Sequence, residues 1–344
     1  MLAVALAALG LLLLPTGGAG SGTDSPIIGV LTIPVGGSGC ETLSGSAQSA
    51  GAIGSAGSCF QSIYVKWIES AGGRVVPLLY DLPGADLDAL FDSLNGVLLT
   101  GGGLDITDPA SPYVRVASRL LDRALEAHAA GVHVPVWGTC QGFELLGVLV
   151  SQESSVLERG FDSESLQLPL DLRPGAAGES RMLTRLPPEV LTWLSSENIT
   201  VNLHHDGIAP AAFSGNGRLR DFFRVLSTNR DRDGRPFVST IEGREAPVYA
   251  VQWHPERPQF QFSESADEFG INHGPHAVRA MQAFANFFVD EARMNSRRFR
   301  SQREEARNLI YNYVPQGRDA YQAYIFPPAA SARRAEMGKD VAWV

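Results

Sequence analysis

Cysteine is scarce in this chain, basic charge is outweighed by acidic, and beyond the first residues no apolar run approaches the length of a membrane span. Each shortage excludes something. With 28 Lys and Arg against 37 Asp and Glu, the formal net charge is −9. That balance argues against a nucleic-acid partner, which calls for a basic face. The one long apolar run, residues 2–14, ends at Pro15 and gives way to small residues through Gly22. A bilayer span needs about 20 apolar residues, so the run reads as a signal peptide over residues 1–22. After its removal no membrane association is expected, and the compartment is extracellular or the lumen of a lysosome or vacuole. Asn198-Ile199-Thr200 is the one acceptor sequon, which makes Asn198 the expected glycan carrier on that route.

There are only three cysteines in 344 residues. Cys40 and Cys59 bracket a Gly/Ser/Ala-rich stretch, and two cysteines closing such a loop in a secreted chain point to a disulfide. In the chain-entropy picture, a bridge closing a loop of that size is worth roughly 3 kcal/mol. Cys140 is then left over, and a single unpaired cysteine is a candidate nucleophile.

The chain has ample material for a core, with 44% hydrophobic and 19% charged residues. "PIIGVLTIPV", "RVVPLLY", "GVLLT" and "VPVWG" are apolar runs of strand length. Helical patterns separate them: one from Ser62, a short one at 86–94 and a long one at 114–130. Near-continuous apolar strands alternating with helices imply a parallel sheet covered on both faces. Beyond Leu157 the strands "ITVNLH", "FFRVLST", "PFVSTIE" and "VYAVQWH" come closely spaced, two of them joined across residues 231–234 as a hairpin. A final helix is expected over 275–298. No repeat or linker divides the chain. One α/β domain over residues 26–326 is expected, with a disordered Pro/Ala/Arg-rich tail at 327–344.

"VPVWGTCQGFELL" places the odd cysteine between two glycines, where a strand gives way to a helix. A residue squeezed there takes a strained backbone that pushes its side chain out at the carboxyl edge of the sheet. Glycines flank it because a Cβ would collide with neighbouring backbone. The helix start at Gln141 aims its amides and dipole at the sulfur, which favours thiolate. A thiolate needs a base, and "VYAVQWHPER" supplies His254 at a strand end. Glu256 lies two residues on, the spacing that puts both on one side of extended chain. A carboxylate there would hold the imidazole's tautomer and stabilise the imidazolium.

These two motifs resemble those of the class I glutamine-amidotransferase-like group, and within it of the γ-glutamyl hydrolases, which trim folate polyglutamates. "PIIGVL", "YVKWIESAGGRVVPL", "LNGVLLTGG", "WGTCQGFELL", "SRMLTRLP", "PVYAVQWHPE" and "FFVDEARMNSRRF" follow that family in order. The resemblance implies a flavodoxin-like, doubly wound, mostly parallel sheet flanked by helices, with added antiparallel strands in the second half. It implies Cys140 as nucleophile, His254 as acid/base and Glu256 as its orienter. It also implies an oxyanion hole of backbone amides from Gln141 and the glycine turn at Gly101 and Gly102. His204, in "VNLHHDG", matches a histidine that family members carry and that is thought important for activity, although Asp206 stands where some members have an aromatic residue. Arg257 is the candidate fork for substrate α-carboxylates. Glu144, one turn past the nucleophile, is the candidate partner for a substrate amino group. A Cys/His ion pair is expected to persist below neutral pH.

The expected partner is a small molecule, a folate poly-γ-glutamate or a γ-glutamyl peptide, with no cofactor and no metal. Oligomeric state is left open between monomer and homodimer. Two other readings share the fold: the glutaminase half of an amidotransferase, and a non-catalytic binding protein. The signal peptide and the missing synthase domain weigh against the first. The intact Cys140, His254 and Glu256 weigh against the second.

Overall fold

The computed structural model describes residues 22–35, 57–262, 270–317 and 321–330. The expected signal peptide, Cys40 and residues 331–344 lie outside them. Eight strands form the main sheet: β1 (Ile27–Leu31), β2 (Arg74–Leu78), β3 (Gly96–Leu99), β4 (Val136–Thr139), β5 (Asp171–Leu172), β6 (Phe223–Arg230), β7 (Pro236–Gly243) and β8 (Val248–Val251). Their order is β2-β1-β3-β4-β8-β7-β6-β5. The first five in that order run parallel. The last three are antiparallel additions at one side. The mixture follows from the connections. Parallel neighbours need helical crossovers, whereas β6 and β7 are joined by a tight turn with Gly234 at φ +81°.

Strand side chains alternate between two cores. Ile28, Val30, Leu98, Trp137 and Tyr249 pack on one face, under the helices α1 (Ser62–Ser70), Pro188–Ser196 and α8 (Pro275–Arg293). Ile27, Leu31, Val97, Val136 and Val248 pack on the other, under α2 (Gly84–Phe91), α3 (Pro112–Ala129) and α4 (Gln141–Ser151). Because both faces are covered, the central strands carry no polar alternation. Trp67 of α1 lies 5.4 Å from Trp137 of β4, ring centre to ring centre, and its indole N–H donates to the Met281 carbonyl of α8. That contact ties two helices to the strand that leads to Cys140.

Three boundaries differ from the sequence reading. Helix α2 spans Gly84–Phe91 instead of 86–94, because Pro83 already holds the extended backbone of an N-cap. Helix α8 ends at Arg293, five residues early. Buried Asn295 turns inward there and donates to the carbonyls of Asn95 and His133 (2.8 and 2.6 Å), which a continuing helix would forbid. Packing also continues past Phe326. Strand Ala323–Phe326 pairs with Ser58–Gln61, and buried Ala329 donates its N–H to Asp81. Cys59, on the partner strand, is disulfide-bonded, and Cys140 is a free thiol. No helix among the described residues is long and apolar enough to cross a membrane.

Candidate active site

Strand β4 ends at Thr139 and α4 begins at Gln141, so a single residue, Cys140, makes the whole turn. Its φ of 51° and ψ of −110° lie where side-chain-bearing residues are strained. The glycines on either side are required by contact. A Cβ on Gly138 would stand 2.6 Å from the Gly142 carbonyl oxygen, and one on Gly142 would collide with the Leu99 carbonyl. Cys140 is not open to solvent, however. It is 4% exposed, and its Sγ donates to the Leu203 carbonyl at 3.8 Å.

His254 arrives from the end of β8, its backbone amide fixed to the Val201 carbonyl. Its Nδ1 lies 2.6 Å from Glu256 Oε1. Since a carboxylate only accepts, the proton sits on Nδ1 and the Nε2 lone pair is left to serve as base. A Cβ placed on Gly101 would lie 2.8 Å from His254 Cε1 and 3.3 Å from Cys140 Cβ. Nucleophile and base therefore both border that glycine. Gly101→Ala should lower kcat sharply and cost about 1–3 kcal/mol in stability, because the added methyl would stand 2.8 Å from His254 Cε1 and 2.9 Å from the buried Tyr64 hydroxyl. Steady-state kinetics beside a melting curve test this, and wild-type kcat in the variant would contradict the placement.

The glycine turn takes up its expected position but divides its amides differently. The Gly101 N–H donates to the Tyr64 hydroxyl at 2.8 Å, so it is already committed and unavailable to a substrate oxygen. That leaves the Gly102 and Gln141 amides. Gln141 also clamps the turn, its Nε2 donating to the Leu104 carbonyl at 2.9 Å. Tyr64 was not among the sequence candidates, since in "SIYVKW" it reads as one more apolar residue of a helix face.

Glu144 lies inside the site and not on the surface, with Oε1 accepting from Gln252 Nε2 at 2.8 Å. Gln252 was also missed, although a glutamine amid the apolar "YAVQW" was a visible signal. Arg257 departs from its expected role. It is 8% exposed, donates from Nη1 to Gln261 Oε1, and holds Nε 3.8 Å from Glu256 Oε1. It therefore lies in the interior beside the orienting carboxylate instead of presenting an open fork. His204 is buried between Phe161 and Phe237, and its Nδ1 donates to the Asp206 carbonyl at 2.8 Å. Arg159 stands between Asp105 and Asp206, 4.0 Å from each. Asn198 is exposed.

Burial sets the charge states. It pushes the Cys140 thiol well up, with Glu144 adding to the effect and Arg257 and the Gln141 amide opposing it. Burial lowers His254 despite Glu256, so the imidazole rests neutral. Glu256 stays ionised: burial alone would raise it, but His254 and Arg257 outweigh that. Both shifts favour thiol and neutral imidazole over the expected ion pair. The amides at the helix start are too few to offset the loss of water around sulfur. His204 is driven down to about 3 by burial, so it too is neutral and its Nε2 is an acceptor.

Glu144 makes the site's stability depend on pH. Burial raises its carboxyl from 4.5 to about 7. The folded chain then keeps a proton that the unfolded chain sheds, so stability is complete below pH 4.5 and is lost as pH rises through 7. The loss is about 3 kcal/mol at 1.36 kcal/mol per pH unit. Glu144→Gln should flatten that slope between pH 4.5 and 7, as read from urea midpoints. An unchanged slope would mean that Glu144 ionises freely.

The chain is similar to several known proteins. The peptidase C26 family description matches residues 35–256. γ-Glutamyl hydrolase of Mus musculus is 46% identical over 252 residues, covering 73% of this chain and 77% of that protein. γ-Glutamyl hydrolase 1 of Arabidopsis thaliana is 37% identical over 268 residues, covering 76% and 74%. Among solved structures, a glutamine amidotransferase from Thermotoga maritima superposes with a TM-score of 0.44 at 9% identity, covering 79% of this chain and 99% of that one. The family match over residues 35–256 and the identity to these relatives show that this chain belongs to the peptidase C26 family.

Proposed function

We infer that this chain is a cysteine-type hydrolase that cleaves γ-glutamyl amide bonds. The observation that carries the reading is the His254 ring, its Nδ1 bound to Glu256, which borders Gly101 together with the strained Cys140. As Sγ attacks the γ-carbonyl carbon, His254 Nε2 takes the thiol proton. The imidazolium formed is stabilised by Glu256. The oxyanion is met by the Gly102 and Gln141 amides. His254 then protonates the leaving nitrogen, the C–N bond breaks and a γ-glutamyl thioester remains on Cys140. Water, deprotonated by His254, attacks the thioester; Sγ leaves and recovers its proton. Glu144 and His204, both buried near the nucleophile's end of the sheet, would offer a carboxyl and an acceptor nitrogen to the α-nitrogen N–H of the bound glutamyl unit.

The substrates this reading favours are folate or antifolate poly-γ-glutamates met in the secretory pathway, outside the cell or in a lysosomal or vacuolar lumen. Both the exposed Asn198 and the signal-like residues 1–22 are consistent with that route. A ladder of p-aminobenzoyl poly-γ-glutamates, its α-linked isomer and free glutamine form the decisive assay, with products resolved by chromatography. Cleavage of the γ-linked ladder alone is expected. Ammonia release from free glutamine without ladder cleavage would overturn the reading in favour of a glutaminase.

A further inference from the structure

At the far edge of the sheet, α5 (Pro210–Gly215) and α6 (Gly217–Phe222) cover the β6 end of the hairpin. β7 is antiparallel to β8, with Glu242 opposite Tyr249 near the start of β8. The turn after Gly243 therefore lies at the end of the sheet opposite to Cys140. A cavity of about 420 Å³ opens there, within the usual size of a small-molecule pocket. Its walls include Arg173, Arg220, Arg224 and Arg244, with Glu179 as the one carboxylate.

Among the described residues, three of these guanidiniums find only carbonyl oxygens. Arg244 Nε donates to the Arg220 carbonyl (2.8 Å), Arg224 Nη1 to the Arg244 carbonyl (3.3 Å) and Arg220 Nη1 to the Ser214 carbonyl. These bonds fix the arginines without neutralising them. Glu179 is already held by Arg173 Nη2 at 2.6 Å. The Arg173 hydrogen bond and charge keep its carboxyl below the usual range, and Arg224 and Arg244 add to the effect. Four arginines against one glutamate is a marked excess in a chain whose formal net charge is −9. Each guanidinium has five N–H donors in a planar fork that fits two oxygens of a carboxylate or phosphate. Phe213, Phe223 and Pro210 complete the lining with apolar surface.

We propose that this cavity is a second ligand site, separate from the Cys140 centre, for a small molecule bearing two or more closely spaced anionic oxygens. Carbonyl-anchored arginines lose little freedom on binding such a ligand, which is what a preformed anion site requires. The ligand chemistry has two sources, inorganic phosphate and the carboxylates of a γ-linked oligoglutamate.

Thermal unfolding of the full chain would be followed with added sodium phosphate, with γ-linked triglutamate, and with sodium chloride at matched ionic strength. Because triglutamate also fits the Cys140 site, its arm is run on Cys140→Ala and read by difference from the same background carrying Arg224→Gln and Arg244→Gln. The expected result is a melting temperature that rises and saturates with one of the two anions, at concentrations where chloride does nothing. The double substitution should abolish that rise while kcat on a γ-glutamyl peptide stays at wild type. Arg220→Gln alone, which leaves the other two in place, should weaken the response several-fold and covers the case of a poorly folded double variant. A response equal to that of chloride for both anions, or one that survives all three substitutions, would overturn the site.

Discussion

Cys140→Ala is expected to reduce turnover by about 10⁴-fold or more, as loss of a covalent nucleophile does when the rest of the site remains. The cost to the fold should be small. The sulfur is buried, yet its hydrogen bonds are a long contact to the Leu203 carbonyl and one from the Gln141 amide. Removing it leaves a small void, worth roughly 1 kcal/mol. The backbone offers a sharper test. At φ 51° and ψ −110° alanine keeps the strain that cysteine carries, whereas glycine does not. Cys140→Gly should therefore be inactive and still at least as stable as Cys140→Ala, by about 1 kcal/mol. Paired melting curves and rate measurements decide. Residual turnover above a trace in either variant would remove Cys140 from the chemistry, and a glycine variant clearly less stable than the alanine one would remove the strain.

The elbow was legible because it rests on sterics that any sequence must obey: a strand run, two glycines and a helix start leave one residue to make the turn. The central strands were legible for the same kind of reason, since burial on both faces allows only apolar side chains. Glu256 does stand behind His254, but through a turn and not extended chain: Glu256 has φ −80° and ψ −15° at the start of the next helix. The charge state of Cys140 was not legible. It depends on how much water the folded pocket admits, and the elbow is closed over by the 203–206 segment, far away in sequence. The role of Arg257 was hidden likewise, because its burial comes from the fold around α7 (Arg257–Phe260). Tyr64 and Gln252 belong to elements whose pattern announces core, and a single polar atom among apolar neighbours does not disturb a period. The end of α8 was misjudged because Asn295 leaves the helix to bond loops some 160 to 200 residues earlier in the chain.

His254→Ala should cost about 10³-fold or more in kcat, because general acid/base catalysis alone contributes 10²–10⁴-fold and this residue moves every proton in the sequence. Glu256→Gln should cost less, since the amide oxygen can still accept from Nδ1–H and keep the ring oriented. What glutamine cannot supply is charge. Glu256 raises the pKa of His254 against the pull of burial, so its neutralisation makes the imidazole still harder to protonate. The acidic limb of kcat/KM should therefore move to lower pH in Glu256→Gln while the plateau falls. A merely damaged fold would lower the plateau and leave the limb in place. His204 has no carboxylate behind it; its Nδ1–H is spent on a backbone carbonyl, and burial keeps it neutral to about pH 3. It can accept a hydrogen bond from substrate at Nε2 but cannot shuttle a proton near neutrality, so His204→Ala should show most of its loss in KM. Steady-state kinetics over pH 4 to 8 on one γ-glutamyl peptide separate the three. If His204→Ala proved as inactive as His254→Ala with KM unchanged, the proton path would have to run through His204, and the neutral, carbonyl-bound ring described above could not be its working state.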